Sequence, residues 1–141
     1  MDEQNYSELS STELEIWVDI PDFDNFQVSN LGRVRSKAKT WTCGNGAIRI
    51  QPEREVSYSI VFSRGSYGTH GSGYKRVILI QDNKRKVIFV HRLVAELFIP
   101  NPYNKPQVDH LDRNSLNNCV SNLRWCTAKE NCANRGGIYG K

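Results

Sequence analysis

Apolar and polar positions alternate over short stretches through the first two-thirds of the chain, and the period then changes. Residues 15–20 (EIWVDI), 26–29 (FQVS) and 33–36 (RVRS) are short aromatic or β-branched runs, the pattern of half-buried strands. Pro21-Asp22 and Asp24-Asn25 interrupt the first pair. Asn30-Leu31-Gly32 separates the second pair and suits a tight hairpin. Residues 47–51 (AIRIQ) and 58–62 (YSIVF) predict two further strands, while residues 63–73 (SRGSYGTHGSG) have no apolar period and predict a loop. YKRVILI (74–80) and KVIFV (86–90) flank a turn-rich QDNKR, the clearest hairpin of the chain. In residues 91–98 (HRLVAELF), Leu93, Val94, Leu97 and Phe98 fall on one face of a short helix, which Pro100 stops before an extended NPYNKP.

The C-terminal third has a layout of its own. Val108-Asp109-His110 reads as the end of a strand, LDRNSLNN as a turn-rich loop, and NLRWCT as a second strand. Thr127 and Glu130 have the spacing of a capping box, so a helix is expected from Ala128. That helix can bring Asn131 toward the strand pair. The order is strand, loop, strand, helix within residues 107–135. No internal repeat or heptad pattern occurs.

At 141 residues the chain suits about one domain. Mean hydropathy is -0.58, and no apolar run approaches the roughly 18 residues of a membrane span. The leader MDEQNYSELSS is acidic, lacks an apolar core, and predicts disorder over residues 1–13 rather than a secretory signal. The expected setting is cytoplasmic, with no membrane partner. Thiols stay reduced there, so Cys43, Cys119, Cys126 and Cys132 are not read as a disulfide framework. Charge is uneven. Residues 1–30 carry eight acids and no Lys or Arg, whereas residues 31–95 carry 13 bases against three acids. So basic a stretch attracts polyanions, nucleic acid first.

Three residues of the C-terminal third carry candidate chemistry. Asp109 offers a hard anionic oxygen and Asn131 a neutral amide oxygen. The two suit a Mg²⁺ that keeps several waters and takes other ligands from phosphate. His110, adjacent to Asp109, can accept a proton near neutral pH. In a regular strand the two side chains point to opposite faces, so convergence requires the strand to end or bend at this point. One metal, one base and a basic surface make a minimal phosphodiesterase.

The stretch VDHLDRN…NN…SNLRW.T..EN resembles the HNH nuclease motif, and more narrowly the HNH homing endonucleases of phage introns and free-standing phage genes. EIWVDIPDFDNFQVSNLGRVRS resembles the nuclease-associated modular motif that precedes the HNH unit in that group, and VHRLVAELFIPNP the segment leading into it. The resemblance covers about residues 15–135. It implies an α+β fold: an N-terminal antiparallel β-sheet region that contacts DNA over residues 14–90, then an HNH region over 91–141 whose ββα-metal unit spans about 107–135.

The resemblance also implies roles. His110 is the expected general base, Asp109 and Asn131 the expected ligands of one divalent ion (Mg²⁺ or Mn²⁺), and Asn122 the structural support that aims His110. The expected partner is double-stranded DNA, cut to a 3′-hydroxyl and a 5′-phosphate inside a phage-infected bacterial cell. A monomer would nick, and a homodimer could break both strands. Where relatives often have Asp-Gly-Asn, this chain has Asp112-Arg113-Asn114. Arg113 gives up glycine's easy positive φ but could reach a phosphate. Some relatives carry a further helix-turn-helix module. The sequence stops at Lys141, ten residues past Asn131, and no such module is expected here.

The remaining candidates each have a plainer reading beside the functional one. His91 opens a helix and either packs there or contacts phosphate or the metal site. Arg33, Arg35, Lys37 and Lys39 alternate along one strand and its extension, a single face expected to meet DNA rather than only solvent. Lys84, Arg85 and Lys86 at a hairpin tip, and Arg124 facing out beside Trp125, are further DNA candidates. Trp17, Trp41 and Trp125 are expected in the core. Cys119, Cys126 and Cys132 lack a C-x-x-C pair and are expected to be small buried residues, with no structural zinc. The rivals to a DNA endonuclease are a non-catalytic DNA-binding protein on the same scaffold and a structure-specific or RNA nuclease.

Overall fold

Short apolar runs broken by turn residues fold into short strands, most of which pair with a sequence neighbour. A computed structural model of the chain describes residues 14–62 and 73–135. The acidic leader and residues 63–72 of the Gly/Ser stretch lie outside them. Among the described residues the class is α+β, with four small antiparallel sheets and two α-helices. The first sheet orders β1 (Trp17–Ile20), β2 (Phe23–Ser29), β3 (Val34–Ser36) and β6 (Arg54–Glu55). β4 (Lys39–Thr42) and β5 (Ile48–Gln51) pair only with each other. The third sheet orders β7 (Ser59–Phe62), β8 (Gly73–Gln81) and β9 (Lys84–Phe89). Helix α1 (Val90–Phe98) follows at once. β10 (Gln107–His110) and β11 (Leu123–Cys126) form the last sheet, and α2 (Ala128–Arg135) closes the described chain.

The turns follow from their residues. Asp82 and Asn83, which link β8 to β9, both have positive φ, 51° and 65°. This is the mirror-image turn whose twist matches a two-residue hairpin. The core is then assembled around α1. Leu93, Val94 and Ala95 of the helix are buried with Ile20, Val28 and Val34 of the first sheet, Val77 and Leu79 of β8, and Val108 and Leu123 of the last pair. Each such side chain contributes about 1.5–3 kcal/mol when fully buried. One helix therefore ties the N-terminal sheets to the C-terminal strand pair.

Three expectations need correction. The basic row does not lie on one strand. β3 ends at Ser36, where its pairing with β2 and β6 stops, and Lys39 begins the separate β4–β5 ribbon. The ribbon pairs with no strand of another sheet, and Trp41 is 46% exposed and not a core residue. Trp17 lies under the guanidiniums of Arg35 and Arg33, 4.0 and 5.5 Å from its ring centroid. Trp125 packs against the core and donates its ring N–H to Ile99 O at 3.0 Å. Of the cysteines, Cys126 is buried, Cys119 half-buried and Cys132 exposed, so Cys132 departs from the buried reading.

The junction of β9 and α1 forms an aromatic seam against β10. The His91 ring lies 5.3 Å from Tyr74, 5.6 Å from Phe89 and 5.2 Å from His110, centroid to centroid. Burial, with His110 and Arg92 adding to it, lowers the His91 pKa to about 4. His91 is thus neutral in the fold, but it protonates in the unfolded chain below about pH 6.5. Its contribution to stability is complete above that value and is lost as pH falls toward about 4. Replacing His91 by Phe keeps a ring in the seam and removes the titration. The fall in melting temperature between about pH 7 and about pH 5 should then be smaller in His91→Phe than in the wild type. Parallel pH curves for the two proteins would contradict this.

Candidate active site

β10 and β11 pair in simple antiparallel register, with Asp109 opposite Arg124 and His110 opposite Leu123. Side chains alternate along a strand, and here the alternation divides the candidate residues. Gln107 and Asp109 face α2. Val108 enters the core, and His110 turns to the aromatic seam of Tyr74 and His91. His110 is the last residue of β10, so the strand does end at the pair, but Asp109 and His110 still leave it on opposite faces rather than converging. Both are buried polar residues, Asp109 at 5% exposure and His110 at 6%.

Burying polar groups is costly unless they are bonded, and the loop after His110 supplies the bonds. Asn122, on a 3-10 turn at Val120–Asn122, is buried and satisfied on every side. Its Oδ1 accepts from Asp112 N at 2.9 Å, and its Nδ2 donates to Asp112 Oδ1 at 2.8 Å and Asn117 O at 2.9 Å. Leu111 N donates to the Asn122 carbonyl at 2.8 Å. The Asp112 carboxyl also accepts from Asn117 Nδ2 and Asn114 N, and these bonds hold its pKa below the ordinary carboxylate value, with Asn117 first. Arg113 has φ 64°. The position that relatives fill with glycine therefore does use a left-handed backbone, at a cost of order 1 kcal/mol for arginine.

The second strand leads into α2 through the predicted capping box. Thr127 N donates to Glu130 Oε1 at 2.9 Å, and Glu130 N donates to Thr127 Oγ1 at 3.2 Å. The Thr127 backbone N–H, and after it the Lys105 ammonium at 3.0 Å, lower the Glu130 pKa to about 2. This fixed start sets the position of Asn131, one turn on, whose Nδ2 donates to Gln107 Oε1 at 2.9 Å. Gln107 shares the Asp109 face of β10. The Asn131 amide is thus held on that face by its nitrogen, which leaves its Oδ1 for a ligand.

Asp109 Oδ2 accepts from Arg124 Nε at 3.1 Å, and Arg124 Nη2 reaches Glu130 O at 3.4 Å. Arg124, a DNA candidate from the sequence, is the cation beside Asp109. One carboxylate and one amide oxygen are a fitting donor set for a hard divalent ion. No group of three or more His, Cys, Asp or Glu among the described residues could hold a metal alone. Such an ion would take its other ligands from water and phosphate, which is how Mg²⁺ is usually bound.

Several contributors were not singled out in the sequence. His110 Nε2 lies 2.9 Å from Asn118 Oδ1. Asn118, in the NN dipeptide of the loop, is 3% exposed. Gln107 and Tyr74 came from strand positions with no motif to mark them. The basic row is also changed by its surroundings. Arg33 pairs with Glu15 (2.8 Å) and Glu55 (3.1 Å), Arg35 with Glu53 (3.1 Å) and Lys37 with Asp19 (3.0 Å). The acids come from the N-terminal strands and the segment around β6, which pairing in the first sheet brings alongside. Lys84, Arg85 and Lys86 are exposed and form no ion pair with a described residue, and Lys39 likewise forms none.

Comparison with known proteins agrees with this layout. Residues 89–133 match the HNH endonuclease family model, and residues 15–86, half of the chain, match the NUMOD4 motif. DNA endonuclease I-HmuI of Bacillus phage SP01 is 33% identical over 120 residues, covering 84% of this chain and 56% of I-HmuI. Two uncharacterized HNH endonucleases of Acanthamoeba polyphaga mimivirus are 49% identical over 59 residues and 31% identical over 125 residues. These matches cover 42% and 86% of this chain, and 18% and 26% of the mimivirus proteins. The chain therefore spans little more than half of I-HmuI and about a quarter or less of the viral proteins. A solved structure of the HNH homing endonuclease I-HmuI, described as showing DNA binding and cleavage, superimposes with a TM-score of 0.61 at 32% identity. The match covers 85% of this chain and 57% of that one. The chain belongs to the HNH endonuclease family, with a NUMOD4 motif ahead of its HNH unit.

Proposed function

We propose that this protein hydrolyses a phosphodiester bond of double-stranded DNA with one divalent metal ion, nicking one strand per active site. The observation that carries the reading is the buried Asp109-His110 pair at the end of β10, with the Asn131 amide held on the Asp109 face. In-line displacement needs the attacking and leaving oxygens on opposite sides of phosphorus. A base on one face of a strand end and metal ligands on the other suit that requirement. His110 accepts a proton from water as the water oxygen bonds to phosphorus and the bond to the leaving oxygen breaks. Asp109 and Asn131 would hold the ion, which supplies charge neutralisation at the phosphate when bound. Asn122 keeps the loop closed so that His110 holds its aim.

The DNA contacts expected of Lys84, Arg85, Lys86 and Arg113 fit exposed cations. Those expected of Arg33, Arg35 and Lys37 require phosphates to displace carboxylates already paired there. The N-terminal unit, residues 14–90, is the proposed DNA-binding part. The 91–141 unit is the nuclease, working in the cytoplasm of an infected cell as a monomer or homodimer.

Supercoiled plasmid with Mg²⁺ or Mn²⁺ should be relaxed, and EDTA should abolish the relaxation. His110→Ala should lower the single-turnover rate by roughly 10²–10⁴, the range of a lost general base, while DNA affinity is kept. Wild-type cleavage by His110→Ala, or cleavage in EDTA, would overturn the assignment. Comparison of duplex, branched and RNA substrates separates this reading from a structure-specific or RNA nuclease.

Binding gives a second check. Each phosphate neutralised contributes about -0.9 to the slope of log K against log salt. Changing Lys84, Arg85 and Lys86 together to Gln should make the slope shallower by about two to three units. Changing Arg33 and Arg35, whose charges are already matched, should alter it by less than about one unit. An unchanged slope in the triple variant would remove the hairpin from the DNA interface.

A further inference from the structure

The HNH loop and the turn between β2 and β3 of the NUMOD4 region meet residue by residue. Val120 N donates to Asn30 O at 2.8 Å, and Cys119 Sγ lies 3.6 Å from Leu31 O. Gly32 backs directly onto Asn118. A Cβ added at Gly32 would sit 2.8 Å from Asn118 Cβ, 2.9 Å from its carbonyl oxygen and 3.0 Å from its carbonyl carbon. Residues 30, 31 and 32 thus run antiparallel against 120, 119 and 118. The turn itself is stiff. Ser29 N donates to Arg33 O at 2.8 Å, Gly32 N to Ser29 O at 3.0 Å, and Ser29 Oγ accepts from Leu31 N and Arg33 N. Gly32 has φ +86°, a conformation that glycine adopts without penalty.

Asn118, held in this way, faces His110. Its Oδ1 lies 2.9 Å from His110 Nε2, with both side chains buried. With Oδ1 turned to the ring, and Nδ2 buried without a partner among the described residues, the amide accepts and Nε2 carries the hydrogen. A neutral imidazole has one ring hydrogen, so Nδ1 is then the nitrogen with the lone pair. We infer that the Ser29–Arg33 turn of the N-terminal region is a positioning element for the reaction: it seats Asn118, and Asn118 fixes His110 in the tautomer whose Nδ1 takes the proton from water. The inference rests on the reading of His110 as the base. It makes the NUMOD4 region a structural part of the nuclease site as well as its proposed route to DNA. Asn118 and Gly32 are positioning residues and touch no reacting atom.

The test uses the full chain and two matched pairs of variants. Asn118→Leu removes the acceptor, whereas Asn118→Asp keeps one. At saturating DNA, Asn118→Leu should lower the single-turnover rate by about 10–10²-fold, below the full loss of a general base. Asn118→Asp should stay within about threefold of wild type, a difference of about 0.6 kcal/mol by the rate relation. Gly32→Ala and Gly46→Ala carry the same backbone burden, φ +86° and +85°, but a Cβ at Gly46 meets nothing within 4 Å. Gly32→Ala should cleave about tenfold more slowly with DNA affinity unchanged, a barrier rise of about 1.4 kcal/mol. Gly46→Ala should cleave like the wild type. Nitrogen-15 NMR of the His110 ring in the metal-free protein reads the tautomer directly. The hydrogen should be on Nε2 in the wild type and Asn118→Asp, and this preference should be lost in Asn118→Leu.

Wild-type rates in both Asn118→Leu and Gly32→Ala would overturn the inference, as would a wild-type ring with the hydrogen on Nδ1. The NMR signature and the Asn118 pair decide the matter even where Gly32→Ala fails to fold. Failure of the base reading looks different, because His110→Ala would then cleave normally. If His110→Ala is inactive while Asn118→Leu is not, the base stands and the positioning role falls.

Discussion

The side-chain amide of Asn122 is the bond on which the rest of the site depends. Two donors and one acceptor close the twelve-residue stretch from Leu111 to Asn122 onto itself, through Asp112 and Asn117. Without it the loop after His110 would lose three hydrogen bonds, each worth about 0.5–1.5 kcal/mol. With it, the loop is a fixed surface. Asn118 can then be presented to His110 on one side and to the N-terminal turn on the other. No hydrophobic contact could do this, because apolar packing is non-directional and the site needs atoms aimed to within tenths of an ångström.

The second organising fact is the two-residue period of a strand. Asp109 and His110 are adjacent, so a regular strand sends them apart, one toward α2 and the other toward the aromatic seam. The protein builds a different environment on each side. On the Asp109 face are polar oxygens, the Arg124 guanidinium and the capped start of α2, where Glu130 is held ionised by Thr127 and Lys105. On the His110 face are Tyr74, Phe89 and a second histidine kept neutral by burial. A neutral His91 adds no charge beside His110, so it would not oppose the positive charge that His110, as the proposed base, gains on taking a proton. On the proposed reading, the fold separates charge handling from proton handling across a single strand.

Much of this was legible in the sequence, because local chemistry dictated it. The capping box at Thr127 and Glu130 formed as its spacing required, and so did the hairpin at Asp82-Asn83 and the helix face of Leu93, Val94, Leu97 and Phe98. The Asp109, His110, Asn122 and Asn131 set was marked by its order and spacing. Partnership was not legible. The carboxylates that pair with Arg33, Arg35 and Lys37 come from β1, from Glu15 two residues before it, and from the β6 segment, and only sheet pairing brings them together. Strands β4 and β6 lack a buried face, so they left no apolar alternation to read. Asn118 looked like one of several loop asparagines until the fold set Gly32 against its backbone.

The central claim is that the two faces of the β10 end do different work, metal on the Asp109 side and proton on the His110 side. Calorimetric titration of Mn²⁺ into the DNA-bound protein tests it most directly, with Asp109→Ala, Asn131→Ala and His110→Ala beside the wild type. The account predicts about one ion per active site in the wild type and in His110→Ala. It predicts binding weakened by about tenfold or more in Asp109→Ala and Asn131→Ala. Loss of the ion in His110→Ala, or its retention at wild-type affinity in Asp109→Ala, would contradict the division.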